Sequence, residues 1–544
     1  MKSFIKNLII LSILLAVFSC KKTEKLDSSE VDELGKVHFP TTGNSEAQGH
    51  FKTGVLLLHS FEYEDARTAF EMAQKADPSH AMSYWGKAMT YNHSLWQRQQ
   101  REKAIDVLEE LGETPEIRLS KVKTELEKEI FQGIEILYGE GTKYDRDLAY
   151  SAYMKELSEK YPDNHEIAAF HAVSLLGASR NGRDAELYGK TARIAQSIID
   201  ENPNHPGALH YLIHSYDDPE HAHLAKDVAD SYSKVAPDAA HALHMPSHIY
   251  VALGEWEDVV TSNIASWNAS VRRMEKKKLG GDAKSYHAYR WLHYGLLQRG
   301  EIEAGQQLLD LMVKYVDEVT NKNGRGYLLG MKGAQMVASN DFLGKNSEIV
   351  VETDDMNITA RGANALQNGL KAYYQKDVAA LDDVIMNISK DRVKNAEKVG
   401  EKGFAMCNAN GYNSKLPSQL NIDMVHIMEL ELKALAADLK DQPKEAQEWF
   451  EEGLALDKSL TYSYGPPTIV KPIQEAYAEW LLQNARYAEA VAVYDLSLER
   501  NPRRLKSLQG KMKALENLSD EMALATLKKE LDKSTESKNW EAVL

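Results

Sequence analysis

Apolar and small side chains recur through most of the chain at steps of three and four, which places them on one face of a helix. The pattern resets with a 34-residue period. In residues 50–78, Gly54 sits on a first helix, where a small residue admits a second helix closely. Ala66, Phe70 and Ala73 form a small–large–small stripe on that second helix, and Pro78 ends it because proline cannot extend a helix interior. Ala88 follows Gly54 by 34 residues, with Tyr84 and Tyr91 on the same face. Pro162, Pro203 and Pro237 close further second helices, the last two again 34 apart. Residues 254–259 and 300–303 read as turns inside helix pairs. Leu430, Ala434, Ala446, Phe450 and Gly453 repeat the pattern near the C-terminus, as do Ala478, Leu481, Ala490, Tyr494 and Pro502. Residues 95–141 look helical but out of register. Residues 316–420 carry weak hairpins and a Gly/Asn-rich loop at 406–414, and 464–472, with Gly-Pro-Pro and Lys-Pro steps, is a loop that reorients the last hairpins.

These signposts resemble the tetratricopeptide repeat family. The resemblance implies an all-α, right-handed superhelical solenoid of helix-turn-helix hairpins, with an irregular middle section. Each hairpin buries its apolar face only by stacking on its neighbours. It also implies a concave groove lined by positions two, five, nine and twelve of the first helices, where a protein or peptide partner is held. The His-Phe-Pro step at 38–40 and the Gly-Pro-Pro…Lys-Pro loop are similar to those of long bacterial members. The expected organisation is a signal peptide over 1–19, an anchor and polar tether over 20–37, a solenoid with a His-rich groove over 38–315, a degenerate helical section over 316–420, and C-terminal hairpins over 421–544.

The first twenty residues, MKSFIKNLIILSILLAVFSC, place Lys2 and Lys6 before an apolar run too short to span a bilayer. Val17-Phe18-Ser19-Cys20 resembles a lipobox, which implies a diacylglycerol on Cys20 and a chain anchored at the cell envelope, in the outer membrane of a diderm bacterium. Only Cys407 then remains, so no internal disulfide forms and stability comes from packing. The net charge of −16 argues against nucleic acid, which wants a basic face.

Ten of the 18 histidines fall between His205 and His293. With first helices beginning at Pro206 and Ala240, His210 and His214 take positions five and nine of one hairpin, and His244 and His248 take the same places in the next. His241 is then a second-position residue, Asp217 a twelfth, His171 a ninth and His287 a second. Up to seven imidazoles would line one groove beside Asp217. Histidines at i and i+4 can share an ion, and a carboxylate completes sites for zinc or iron, which makes His210, His214, His244 and His248 the metal-ligand candidates. The same residues also fit a peptide-binding groove or satisfied packing positions. A helix starting at Pro246 would leave His241 and His244 on the loop leading in. His59 and His93, also 34 apart, read as structural, and His293 as buried between helices. Trp85, at a fifth position, is the one aromatic candidate for a sugar platform.

No phosphate-cradling glycine loop, nucleophile elbow or His-Glu-x-x-His motif is present. Two readings follow. The first is a non-enzymatic envelope scaffold for a protein or peptide partner, accessory to an uptake or assembly system. The alternative is a metal-binding protein or metal-dependent enzyme built on the histidines.

Overall fold

The computed structural model describes residues 33–179, 182–318, 323–399 and 417–535. Cys20, Cys407 and the 406–414 loop lie outside the described residues. Paired α-helices run through all of it, and the strands among the described residues are a two-residue antiparallel pair, Asn92–His93 with Arg98–Gln99. The chain is a stack of tetratricopeptide-like hairpins. No helix among the described residues is long and apolar enough to cross a membrane.

Two recurring turns explain the repeat. Inside a hairpin, the residue just past the first helix is left-handed: Phe61, Gly254, Gly300, Asn340, Lys376, Asp441 and Ala485 all have positive φ. The next amide reaches back five residues, as in Glu62 to Leu57 (2.9 Å), Glu255 to Tyr250 (2.8 Å) and Gln442 to Ala437 (2.9 Å). This closure satisfies carbonyls that a helix end leaves open. Between hairpins the chain turns at the prolines. His80 donates to the carbonyl of Asp77 across Pro78, and His205 to that of Asn202 across Pro203. Proline at the second turn position presets φ and then releases the chain into the next helix.

Packing follows the small–large–small stripe. The Phe70 ring is wedged between Gly54 and Gly86, and a Cβ at Gly54 would lie 2.6 Å from it. The close-approach residue of the second hairpin is therefore Gly86, while Ala88, at the 34-residue spacing, is an ordinary core residue. The 95–141 stretch resolves into the helices Arg101–Leu111, Pro115–Lys121 and Glu125–Leu137. The 316–420 stretch contains the long helices Asn323–Ser339, Ile358–Gln375 and Val378–Ala396.

The stack folds back on itself. His59, at the end of the helix Ser45–His59, accepts through its carbonyl from the His210 side chain 151 residues later. The Trp256 indole donates to the Arg503 carbonyl (3.0 Å), and the Leu505 amide to the Gln298 side chain (3.0 Å). The 464–472 loop presses Gly465 onto the ring of Trp291. This closure turns the inner face of the N-terminal hairpins into interior.

Candidate dinuclear metal centre

Six histidines meet in that interior, from three consecutive first helices. Pro206–Tyr216 carries His210 and His214, one turn apart. Ala240–His244 carries His241 and His244, and Pro246–Leu253 carries His248. Tyr286–Gln298 carries His287. Met245 keeps helical backbone angles, so the chain runs from one short helix into the next with Pro246 in a first-turn position, where its missing N–H costs least. His241 and His244 are thus on a helix and not on a loop.

The six rings sort into two triads, His210 with His214 and His241, and His244 with His248 and His287. Within each triad, one ligand nitrogen per residue lies within 4.8 Å of the other two. The triads adjoin: the rings of His214 and His248 are 5.2 Å apart and those of His241 and His244 6.0 Å.

Hydrogen bonds fix which nitrogen faces inward. Nδ1 of His210 donates to the His59 carbonyl at 2.7 Å. Nδ1 of His214 and of His248 both donate to Asp217 Oδ2, at 3.3 and 3.1 Å. Nδ1 of His244 donates to Asn263 Oδ1 at 2.7 Å, and Asn263 is oriented by its own amide bond to the Val259 carbonyl. Four imidazoles therefore carry their proton on Nδ1 and turn a bare Nε2 toward the cluster. Nε2 of His210, His214, His241 and His287 is buried and finds no partner among the described residues. Nε2 of His244 and His248 approach to 3.2 Å. With both protons on Nδ1 that contact sets one lone pair against another. It also matches the edge of a tetrahedron around an ion bound at ~2.0 Å.

Burial keeps His210, His241, His244, His248 and His287 neutral. It pulls the pKa of His210, His241, His248 and His287 well below the ordinary value, with neighbouring imidazoles adding to the effect. It takes His244 down to about 4, against a partial offset from Asn263. Neutral imidazole is the form that binds metal.

Asp217 has a different part from the one its spacing suggested. It caps the helix Pro206–Tyr216, and Oδ1 accepts from Arg183 at 2.9 Å while Oδ2 holds one histidine of each triad. Its oxygens meet the Nδ1 side of the rings and orient both imidazoles, and with His214 and His248 it also forms a group that could itself hold an ion. His171 is not in either triad: it sits on the helix His165–Ala178, with Lys155, Glu159 and Lys190 as its charged surroundings. His210, His244 and His248 are at most 1 % exposed, so the inner face is closed along this stretch and a partner would have to use another surface. Trp85 is buried between Phe39, Phe51 and Phe170, away from any surface a sugar could reach. His293 is buried, as its position suggested, and bonds Gln335.

Several neighbours escaped the sequence reading. The Trp291 ring stacks on His248 at 4.6 Å, and Tyr464, from the Gly-Pro-Pro loop, lies 4.9 Å from the same ring. Phe61 packs 4.2 Å from His210 and 5.8 Å from His241. Phe61 holds a left-handed turn position where the matching hairpins use Gly254 and Gly300, a local misfit that could have been read in the sequence. His59 buttresses His210 and is itself held by Tyr211 and Glu166, each at 2.9 Å. On the other side, a cleft of ≈ 330 Å³ is lined by His241 and His287, one histidine of each triad.

No family model matches the chain, and no curated protein matches its sequence. Among solved structures it is similar to the APC/C hetero-tetramer Cut9–Hcn1, at 12% identity and TM-score 0.36 over 88% of this chain and 78% of that one. It is also similar to yeast Tom70, at 12% identity and TM-score 0.32 over 89% and 99% of the two chains. The P58(IPK) TPR domain aligns at 13% identity and TM-score 0.18 over 88% and 99%. Scores this low carry no argument about function, and the fold rests on the chain's own hairpins.

Proposed function

We propose that this protein is a metalloprotein that holds two adjacent metal ions, one on His210, His214 and His241 and one on His244, His248 and His287. One observation carries the reading: six imidazoles converge in the interior, and His210, His214, His241 and His287 each bring a buried Nε2 that meets no partner among the described residues, where burying an unpaired polar atom costs about 1–3 kcal/mol. Two cations would remove that cost for the whole cluster. Three histidines per ion also leave a coordination position open, the arrangement of catalytic sites more than of structural ones. The chain would carry this centre at the cell envelope through lipid on Cys20.

The test is metal content by mass spectrometry of the protein purified without chelators. Two equivalents per chain are expected, with both lost in His214→Ala/His248→Ala while circular dichroism shows the helices retained. A folded, metal-free protein that takes up no zinc, iron or copper on titration would defeat the proposal.

A scaffold role has one observation in its favour: Leu343 and Val350, 51% and 81% exposed, lie close in sequence on the outside of the stack. Capture of a protein partner that is lost on Leu343→Ser/Val350→Ser, with metal content unchanged, would support that second reading.

A further inference from the structure

Resting on the two-metal reading, we infer that the centre is a copper pair that reduces dioxygen, and that the cleft lined by His241 and His287 admits a small phenolic compound as the electron donor.

The ligand set points to copper. All six first contacts are imidazoles, and the carboxylate bonded to their rings, Asp217, is already shared between two Nδ1 protons and Arg183. Asp217 therefore has no oxygen free to bridge the ions. Repulsion between two cations grows as the product of their charges, so a divalent pair repels four times as strongly as a monovalent pair at the same distance. A neutral, dry cage therefore favours two Cu(I) ions over two Zn(II) or Fe(II) ions. Imidazole suits copper, and copper heads the affinity order for such donors.

The chemistry then balances without any group beyond those named. Two Cu(I) ions give two electrons to dioxygen and become two Cu(II) ions holding peroxide, whose negative charge offsets the rise in cation charge. A 1,2-dihydroxybenzene returns two electrons and two protons, leaving as the quinone. Over a full cycle, two such molecules and one dioxygen give two quinones and two waters.

The cleft fits that donor. At ≈ 330 Å³ it has the volume of a small-ligand site. Its walls include Phe61, Trp96 and Tyr286, with His93 stacked on Tyr63 at 4.0 Å. Aromatic walls of this kind hold a planar ring by offset and edge contacts. Three wall residues also bring buried polar atoms that meet nothing among the described residues: Trp96 Nε1, His93 Nε2 and the Tyr286 hydroxyl. They offer two donors and an acceptor to a ring with hydroxyl groups. Arg273 and Lys284, also on the wall, are already bound to Asp65 at 2.6 Å and to Glu318 at 3.1 Å, so neither is spare for a strongly acidic ligand.

The experiment loads metal-free full chain with two equivalents of Cu(I) under argon and then admits dioxygen. The expected result is an intense near-ultraviolet peroxide-to-copper band and no copper(II) paramagnetic signal, because the two spins couple. Catechol should then drive dioxygen uptake at one dioxygen per two catechols. Trp96→Leu and Tyr286→Phe should raise the KM for catechol several-fold while the band forms unchanged. Copper that binds but yields neither band nor uptake overturns the inference and leaves the two-metal reading intact, as does isolation with two zinc ions that copper cannot replace. A band without catechol oxidation overturns the assignment of the cleft. A chain that takes no metal at all defeats the two-metal reading itself.

Discussion

Around Arg504, in the C-terminal hairpins, buried charge is matched. The guanidinium donates to both oxygens of Glu475 at 2.7 and 3.0 Å and to the Tyr294 hydroxyl at 3.0 Å, and Ser507 donates to the same carboxylate. Around His210 and His248, in the N-terminal hairpins, the interior is as dry, yet the polar atoms are matched on one side only. Nδ1 of His210, His214, His244 and His248 each makes a hydrogen bond, whereas Nε2 of His210 and His214 meets no partner among the described residues and those of His244 and His248 meet only each other. Saturated buried networks hold a fold, whereas unsaturated ones that converge on a point hold something else. Glu431 shows a third solution. Both its oxygens lack partners, and burial raises its pKa to about 8, so the side chain stays protonated.

The comparison can be broken in order of expected effect. Glu475→Ala should be the most destabilising single change, by about 3–5 kcal/mol, because it strands the Arg504 charge; denaturant titration should show this while metal content is unaltered. His287→Phe should act in the opposite sense. It removes a bare buried nitrogen, so the metal-free protein should melt higher by roughly 1–3 kcal/mol of stability while one ion is lost. If metal-free His287→Phe is much less stable than the parent, the nitrogen has a structural partner and the contrast fails.

Asp217→Asn should lower affinity for both ions by about 10–100-fold, since one carboxylate orients a ligand of each triad. Competition with a chromophoric chelator would measure it, and an effect on a single ion would refute the shared role. Glu431→Gln should change how stability depends on pH. The folded pKa of about 8 lies above the ordinary 4.5, so the unfolded chain loses its proton first. Stability is then greatest below 4.5 and falls as pH rises toward 8, and the amide removes that slope. Denaturation curves across this range should flatten in the variant.

Much of this was readable in the sequence. The 34-residue offset between His210/His214 and His244/His248 survives folding because it is set by local turns, Pro203 and Pro237 among them. The same register found His241 and His287. His171 follows the register but not the site, because register fixes a helix face and not which hairpins meet. The closure of the groove was not legible either. It depends on contacts such as His59 with His210 and Gly465 with Trp291, made by segments far apart in the chain. Nor does a sequence say which nitrogen of a histidine faces inward. That came from Asn263 and the His59 carbonyl, which no spacing rule selects, and from Asp217, which the register placed beside the histidines without showing which nitrogen it would meet.

The central claim is most directly tested by a crystal structure of the protein as isolated, with diffraction recorded on either side of the copper, iron and zinc absorption edges. The account predicts two anomalous peaks, each about 2.0 Å from three Nε2 atoms, one within His210, His214 and His241 and the other within His244, His248 and His287. Water or a side chain bonded to those six nitrogens, with no anomalous peak after metal soaking, would contradict it.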